Sequence, residues 1–153
     1  MADGIAKYAS KGTVTISLAS LAGGAARQST VVDNSTAGAL DVIIRVTTRS
    51  SAADTGTLQV YAYTALGDTN YTDGATGSDS AFTAANRLNS RLVGAVQLNG
   101  TTEVDAHFSL AAAFGGVVPA KWGLIIVKPA TPALDSTAGN HIVEYQNVTM
   151  TAV

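Results

Sequence analysis

The stretch LGDTNYTDGATGSDS, residues 66–80, carries the chain's densest set of groups that could hold a cation. Asp68, Asn70, Thr72 and Asp79 fall at the first, third, fifth and twelfth places of an EF-hand-like count. The glycine such a loop needs at its sixth place is missing, because Asp73 stands there and Gly74 follows one residue late. The twelfth place holds an Asp rather than a bidentate Glu, and no helical pattern flanks the segment. An irregular calcium loop using Asp68, Asp73 and Asp79 stays open, but the preferred expectation is a long adaptable connection ordered by a neighbour. The segment that follows it, AFTAANRLNSR, brings Phe82 and Leu88 back to the body.

The two histidines offer little more. His107 shares an outward strand face with Glu103 and Asp105, which reads first as a solvated polar face. His141 has only Glu144 near it. No G-x-S-x-G elbow, no phosphate loop and no paired-carboxylate spacing stands out. The expectation is therefore a protein without catalytic residues, metal or cofactor.

These residues must be carried by strands. Val14, Ile16 and Leu18 alternate with Thr13, Thr15 and Ser17 in Lys11–Leu18. Val42, Ile44 and Val46 point one way in Leu40–Thr48, and Leu58, Val60 and Ala62 do so in Thr57–Thr64. In Thr102–Leu110 the inward set is Val104, Ala106, Phe108 and Leu110. Weaker runs are Ala26–Asp33, Leu92–Leu98, Trp122–Lys128 and Ile142–Ala152, the last losing phase near Gln146 as if bulged. Leu110–Phe114 reads equally as one helical turn or as loop. Eight runs separated by Gly/Asn/Asp/Ser/Thr-rich turns predict an all-β, two-sheet antiparallel sandwich of about eight strands, jelly-roll-like. An immunoglobulin-like sandwich is the alternative. The expected organisation is an N-terminal arm over residues 1–10 and one sandwich domain over 11–153.

Of the 153 residues only 13% are charged, about half of the usual ~25%, while 46% are hydrophobic. So little surface charge favours association, and a homo-oligomer, dimer or trimer, is expected. The nine basic residues are scattered and net charge is −2, so no nucleic-acid partner is expected. No segment approaches the ~20 apolar residues of a membrane span and no signal-peptide core is seen, so the expectation is synthesis in the cytoplasm and no membrane insertion. Cysteine is absent, which removes disulfides and thiolate chemistry.

Apolar residues on outward phases point to contact. Ile43, Tyr61 and Tyr63 lie on outward faces, and WGLIIV (122–127) is apolar on both faces, so Ile125 and Val127 also need cover. That cover could be a loop of the same chain, a second sheet or a partner. The candidate partner-contact residues are these five, Ile5 and Tyr8 in the arm, and Asp68, Tyr71 and Asp73 in the long loop.

The phrases GTVTISLASLAGGAARQSTVVDNST, VYAYTALGDTNYTDGATGSD, RLVGAVQLNG and FSLAAAFGGVVPAKWGLIIVKPATPALDSTAGN resemble small structural proteins of tailed-bacteriophage virions. The resemblance runs from about Gly12 to the C-terminus and rests on whole segments rather than a short motif. It implies a capsid decoration or cement protein that binds the assembled major capsid protein shell on the virion exterior. The same traits would suit a neck or tail component, or a jelly-roll module that binds carbohydrate or a host surface.

Overall fold

A computed structural model describes residues 4–67 and 69–152 of the chain. Its strands are β1 (Gly4–Tyr8), β2 (Gly12–Thr13), β3 (Ala26–Gln28), β4 (Val32–Asp33), β5 (Asp41–Thr48), β6 (Thr57–Leu66), β7 (Asn70–Tyr71), β8 (Ser80–Phe82), β9 (Arg91–Gln97), β10 (Val104–Ser109), β11 (Lys121–Val127) and β12 (Ile142–Ala152). One short helix, α1 (Leu110–Ala113), follows β10. The Ser109 hydroxyl caps it by accepting from the Ala112 N–H, and Gly116 at φ 97° closes it through a bond to the Ala111 carbonyl. This settles the helix-or-loop choice at 110–114 in favour of a turn of helix.

The strands form two antiparallel sheets. In the first, β1 and β2 lie along one side of β12, β5 along the other, and β10 beyond β5. In the second the order is β8, then β3 with β4, then β11, β6 and β9, with β7 also on β6. Taking β1 with β2, and β3 with β4, as single bent limbs, and setting apart the short β7 and β8 of the β6–β9 connection, leaves eight limbs. The first pairs with the eighth, the second with the seventh, the third with the sixth and the fourth with the fifth. That nested pairing is a jelly roll, and it excludes the immunoglobulin-like alternative.

Each expected strand finds a limb, with two differences. Lys11–Leu18 is a strand only at Gly12–Thr13. Beyond it the chain leaves β12 and crosses to the second sheet, where the Thr15 carbonyl accepts from Thr30 N–H; Val14 and Leu18 stay buried on the way. The irregularity expected near Gln146 lies in the opposing strand. β12 pairs with β5 without a shift, but Ala9, Ser10 and Lys11 oppose only Gln146 and Asn147 between the Tyr8–Val148 and Gly12–Tyr145 pairs.

The core between the sheets follows the alternation. Val42, Ile44 and Val46 of β5 face Leu58, Val60 and Ala62 of β6, Val96 of β9 and Leu124 and Ile126 of β11, all buried. Trp122 is fully buried, with its ring edge-on to Tyr145 at 5.5 Å. Phe108 lies where a side chain on Gly94 would be, joining β9 to β10 where the sheets meet. At one end of the sandwich the buried Lys128 ammonium meets Asp54 at 2.9 Å. Asp54 also accepts from Ser50 and from the Gly56 N–H. Burial works against the Asp54 charge, but the Gly56, Lys128 and Ser50 bonds outweigh it and hold its pKa below the usual range. The pair ties the β5–β6 turn to the chain leaving β11.

Candidate interaction surfaces

The two outer faces of the sandwich differ in how they are covered. On the second sheet, β6 and β11 turn Tyr61, Tyr63, Ile125 and Val127 outward, in the phase the alternation predicts. The cover is the chain's own. The β6–β9 connection folds back over this face and closes a second core of Ala26, Tyr63, Ala75, Ile125 and Val127, flanked by Tyr61, Tyr71, Phe82 and Ala84. Tyr63 is fully buried because its ring lies over Gly123, its cross-strand neighbour, which has no side chain to displace it. The Tyr63 hydroxyl donates to the Ser29 carbonyl at 2.8 Å, and burial pushes its pKa up to about 12. Tyr71 meets Tyr63 edge-on at 5.8 Å, and the Arg87 guanidinium sits 5.0 Å from the Tyr61 ring centre. As partner contacts Tyr63, Ile125 and Val127 are therefore corrected: intramolecular packing hides them.

The aspartates of residues 66–80 fasten this cover. Asp73, held at φ 59°, accepts from the backbone N–H groups of Asn89 and Ser90 at 2.9 and 2.7 Å, from Asn89 Nδ2 at 2.9 Å and from the Ser90 hydroxyl at 2.7 Å. Asp79 receives Arg27 at 2.6 Å and the Ser17 hydroxyl at 2.5 Å. Burial opposes both charges; for Asp73 the Ser90 and Asn89 donors win, and for Asp79 Arg27 and Ser17, so both pKa values are lowered. The two carboxylates hold different segments instead of converging on one cation. Among the described residues no group of three or more His, Asp or Glu side chains is placed to hold a metal. Asp68 lies outside the described residues. The connection is thus a lid over its own sheet, and the expectation that it reaches outward to a neighbour is not met at Tyr71 or Asp73, which are both partly buried in it.

Among the described residues, the outer face of the first sheet carries no such lid. A ladder of charges crosses it: Lys11 to Glu144 at 2.9 Å, Glu144 to Arg45 at 3.1 Å, Arg45 to Asp105 at 2.9 Å, with His107 3.9 Å from Asp105. The Lys11 hydrogen bond first, and Arg45 after it, keep the Glu144 pKa low, while Asp105 and Glu144 raise that of Arg45. These residues, with the half-buried Ile43, line a shallow hollow of about 360 Å³. Asp105 is committed to Arg45 and Thr47 rather than to a ligand shared with Glu103 and His107. His141 is likewise engaged, by the buried Thr48 hydroxyl at 2.9 Å and the Asp135 carbonyl at 2.8 Å.

Past Asp41, where β5 begins, β12 continues with β1 alone as a two-stranded ribbon. The expected arm is therefore a paired strand over Gly4–Tyr8, every residue of it exposed. Val143 and Tyr145 face the core, so Glu144, Gln146, Val148 and Met150 face out, together with Ala6 and Tyr8 opposite the last two. Tyr8, at 61% exposure, and Met150, at 54%, extend the open face; Ile5, at 59%, points to the other side. Periodicity misses this ribbon because GIAKY is too short and too mixed to read as a strand. Comparison with protein-family models, curated proteins and solved structures gives no match.

Proposed function

We propose that this chain is a non-enzymatic structural protein of a tailed-bacteriophage virion, a decoration or cement protein that binds and stabilises the assembled major capsid protein shell. One observation supports this reading beyond the sequence resemblance. The chain covers one outer face with its own lid but leaves the other bare and prolongs it with a ribbon carrying Tyr8 and Met150. A shell protein needs one broad, preformed contact face, with apolar anchors at its centre and charged groups at its rim. Here the Lys11–Glu144–Arg45–Asp105 ladder supplies the charged groups, crossing the face beside the ribbon's apolar Tyr8 and Met150. Its groups neutralise one another, which suits recognition and leaves no free acid or base.

The test is co-sedimentation with assembled, undecorated shells. Deleting residues 1–9 should leave the sandwich folded and weaken shell binding at least tenfold; equal binding by the truncated chain would remove the ribbon from the contact. Tyr8→Ser should weaken binding in the same direction without shortening the chain.

A further inference from the structure

We infer that β1 is a pairing edge for a second copy of this chain, joining two first sheets across a two-fold axis. The backbone shows which groups are open. Ala9 donates its N–H to the Asn147 carbonyl at 2.9 Å. Along an antiparallel ladder the polar groups alternate sides. Ile5 and Lys7 therefore also turn theirs to β12, and Gly4, Ala6 and Tyr8 turn theirs to the open edge. A two-stranded ribbon is marginal in water by itself, and a third strand on this edge would satisfy those groups.

The sequence of β1 selects the occupant and its register. A two-fold normal to the sheet keeps every side chain on its own face, so only residues of equal parity can oppose. Centring on Lys7 would set two ammonium groups against each other, which is destabilising. Centring on Ile5 leaves Lys7 and Tyr8 with no β1 residue opposite. Centring on Ala6 uses the whole strand: Ala6 meets Ala6, Ile5 meets the aliphatic stem of Lys7, and Tyr8 meets Gly4. The last pair is complementary in shape. Gly4 has no side chain, and the Met150 methyl already lies over it, so the incoming Tyr8 ring would rest against a thioether. Lys7, which on an edge strand usually discourages pairing, never faces its own copy in this register. The joined sheets would bring Ala6, Tyr8 and Met150 of both copies to the middle of one continuous outer face. The pairing does not depend on the virion reading.

Five residues a side form a contact far below the ~1,200 Å² of a standard interface, so the dimer should be in exchange and fill as the concentration rises to about 0.5 mM. Sedimentation velocity over that range should show the 15.5 kDa chain passing to twice its mass. Ala6→Pro removes a donor from the open edge and none from β12, a placement edge strands tolerate. It should sediment as a monomer throughout, with an unchanged melting temperature. Hydrogen exchange in the unaltered chain gives an independent readout: the Ala6 and Tyr8 amides should gain at least tenfold protection between dilute and concentrated samples. A chain that stays monomeric, a trimer, a dimer that survives Ala6→Pro, or Ala6 and Tyr8 amides indifferent to concentration would each overturn the inference.

Discussion

The outer faces of the two sheets begin from the same chemical problem and resolve it differently. Both present apolar side chains on outward phases of their strands. On the second sheet these are Tyr61, Tyr63, Ile125 and Val127, and a lid pinned by Asp73 and Asp79 buries them or half-buries them. On the first sheet they are fewer, Ile43, Val148, Met150 and Tyr8, lying to one side of a charge ladder and without a lid among the described residues. Apolar residues on an outward phase thus carry two meanings in one chain. What separates them is whether a long connection can return with donors and apolar groups of its own. The lid does so with Tyr71, Ala75 and Phe82.

Substitutions on the two faces should separate by size of effect. Tyr63→Ala empties the centre of the covered face and strands the Ser29 carbonyl, so it should cost about 3–5 kcal/mol in urea unfolding. A cost below about 1 kcal/mol would mean that the lid is not closed in solution. Asp73→Ala leaves the Asn89 and Ser90 donors without their acceptor and should cost about 1–3 kcal/mol, with exchange rising first over residues 69–90. The same fastening makes the lid acid-sensitive. Asp73 and Asp79 have folded-state pKa values below the ordinary carboxylate value, so their contribution is complete at neutral pH. It is lost only as pH falls below about 4, through the folded values. Exchange over residues 69–90 should accelerate there, allowing for the intrinsic rate. Arg45→Gln on the open face breaks two partly exposed pairs and should cost less than either lid substitution, shrinking further in salt. Tyr8→Ser should stay within about 0.5 kcal/mol, so any loss of shell binding it causes can be read as contact rather than folding.

Much of the fold was legible because the alternation is strong where one face is buried. Val42, Ile44 and Val46, or Leu58, Val60 and Ala62, can point only one way. The order of strands was not legible, since period-2 alternation fixes faces and says nothing about neighbours. The lid was hidden for a related reason. Asp73 meets Asn89 and Ser90, sixteen and seventeen residues on, and Asp79 meets Arg27 across more than fifty, so local spacing around the aspartates offers no trace of their partners. Gly123 inside WGLIIV was a usable sign, because a glycine in a buried strand often makes room for a neighbour's ring. It becomes readable only once the register sets it against Tyr63. The ribbon needed the opposite information, that β12 outruns β5 and that only β1 accompanies it.

The measurement that bears most directly on the proposed role is the number of copies of this chain in purified virions, taken against the major capsid protein by quantitative mass spectrometry. A decoration or cement protein should be present in numbers comparable with those of the shell subunit. A handful of copies would contradict that role and move the chain to the neck, tail or receptor-binding apparatus, and its absence from virions would contradict the virion reading as a whole.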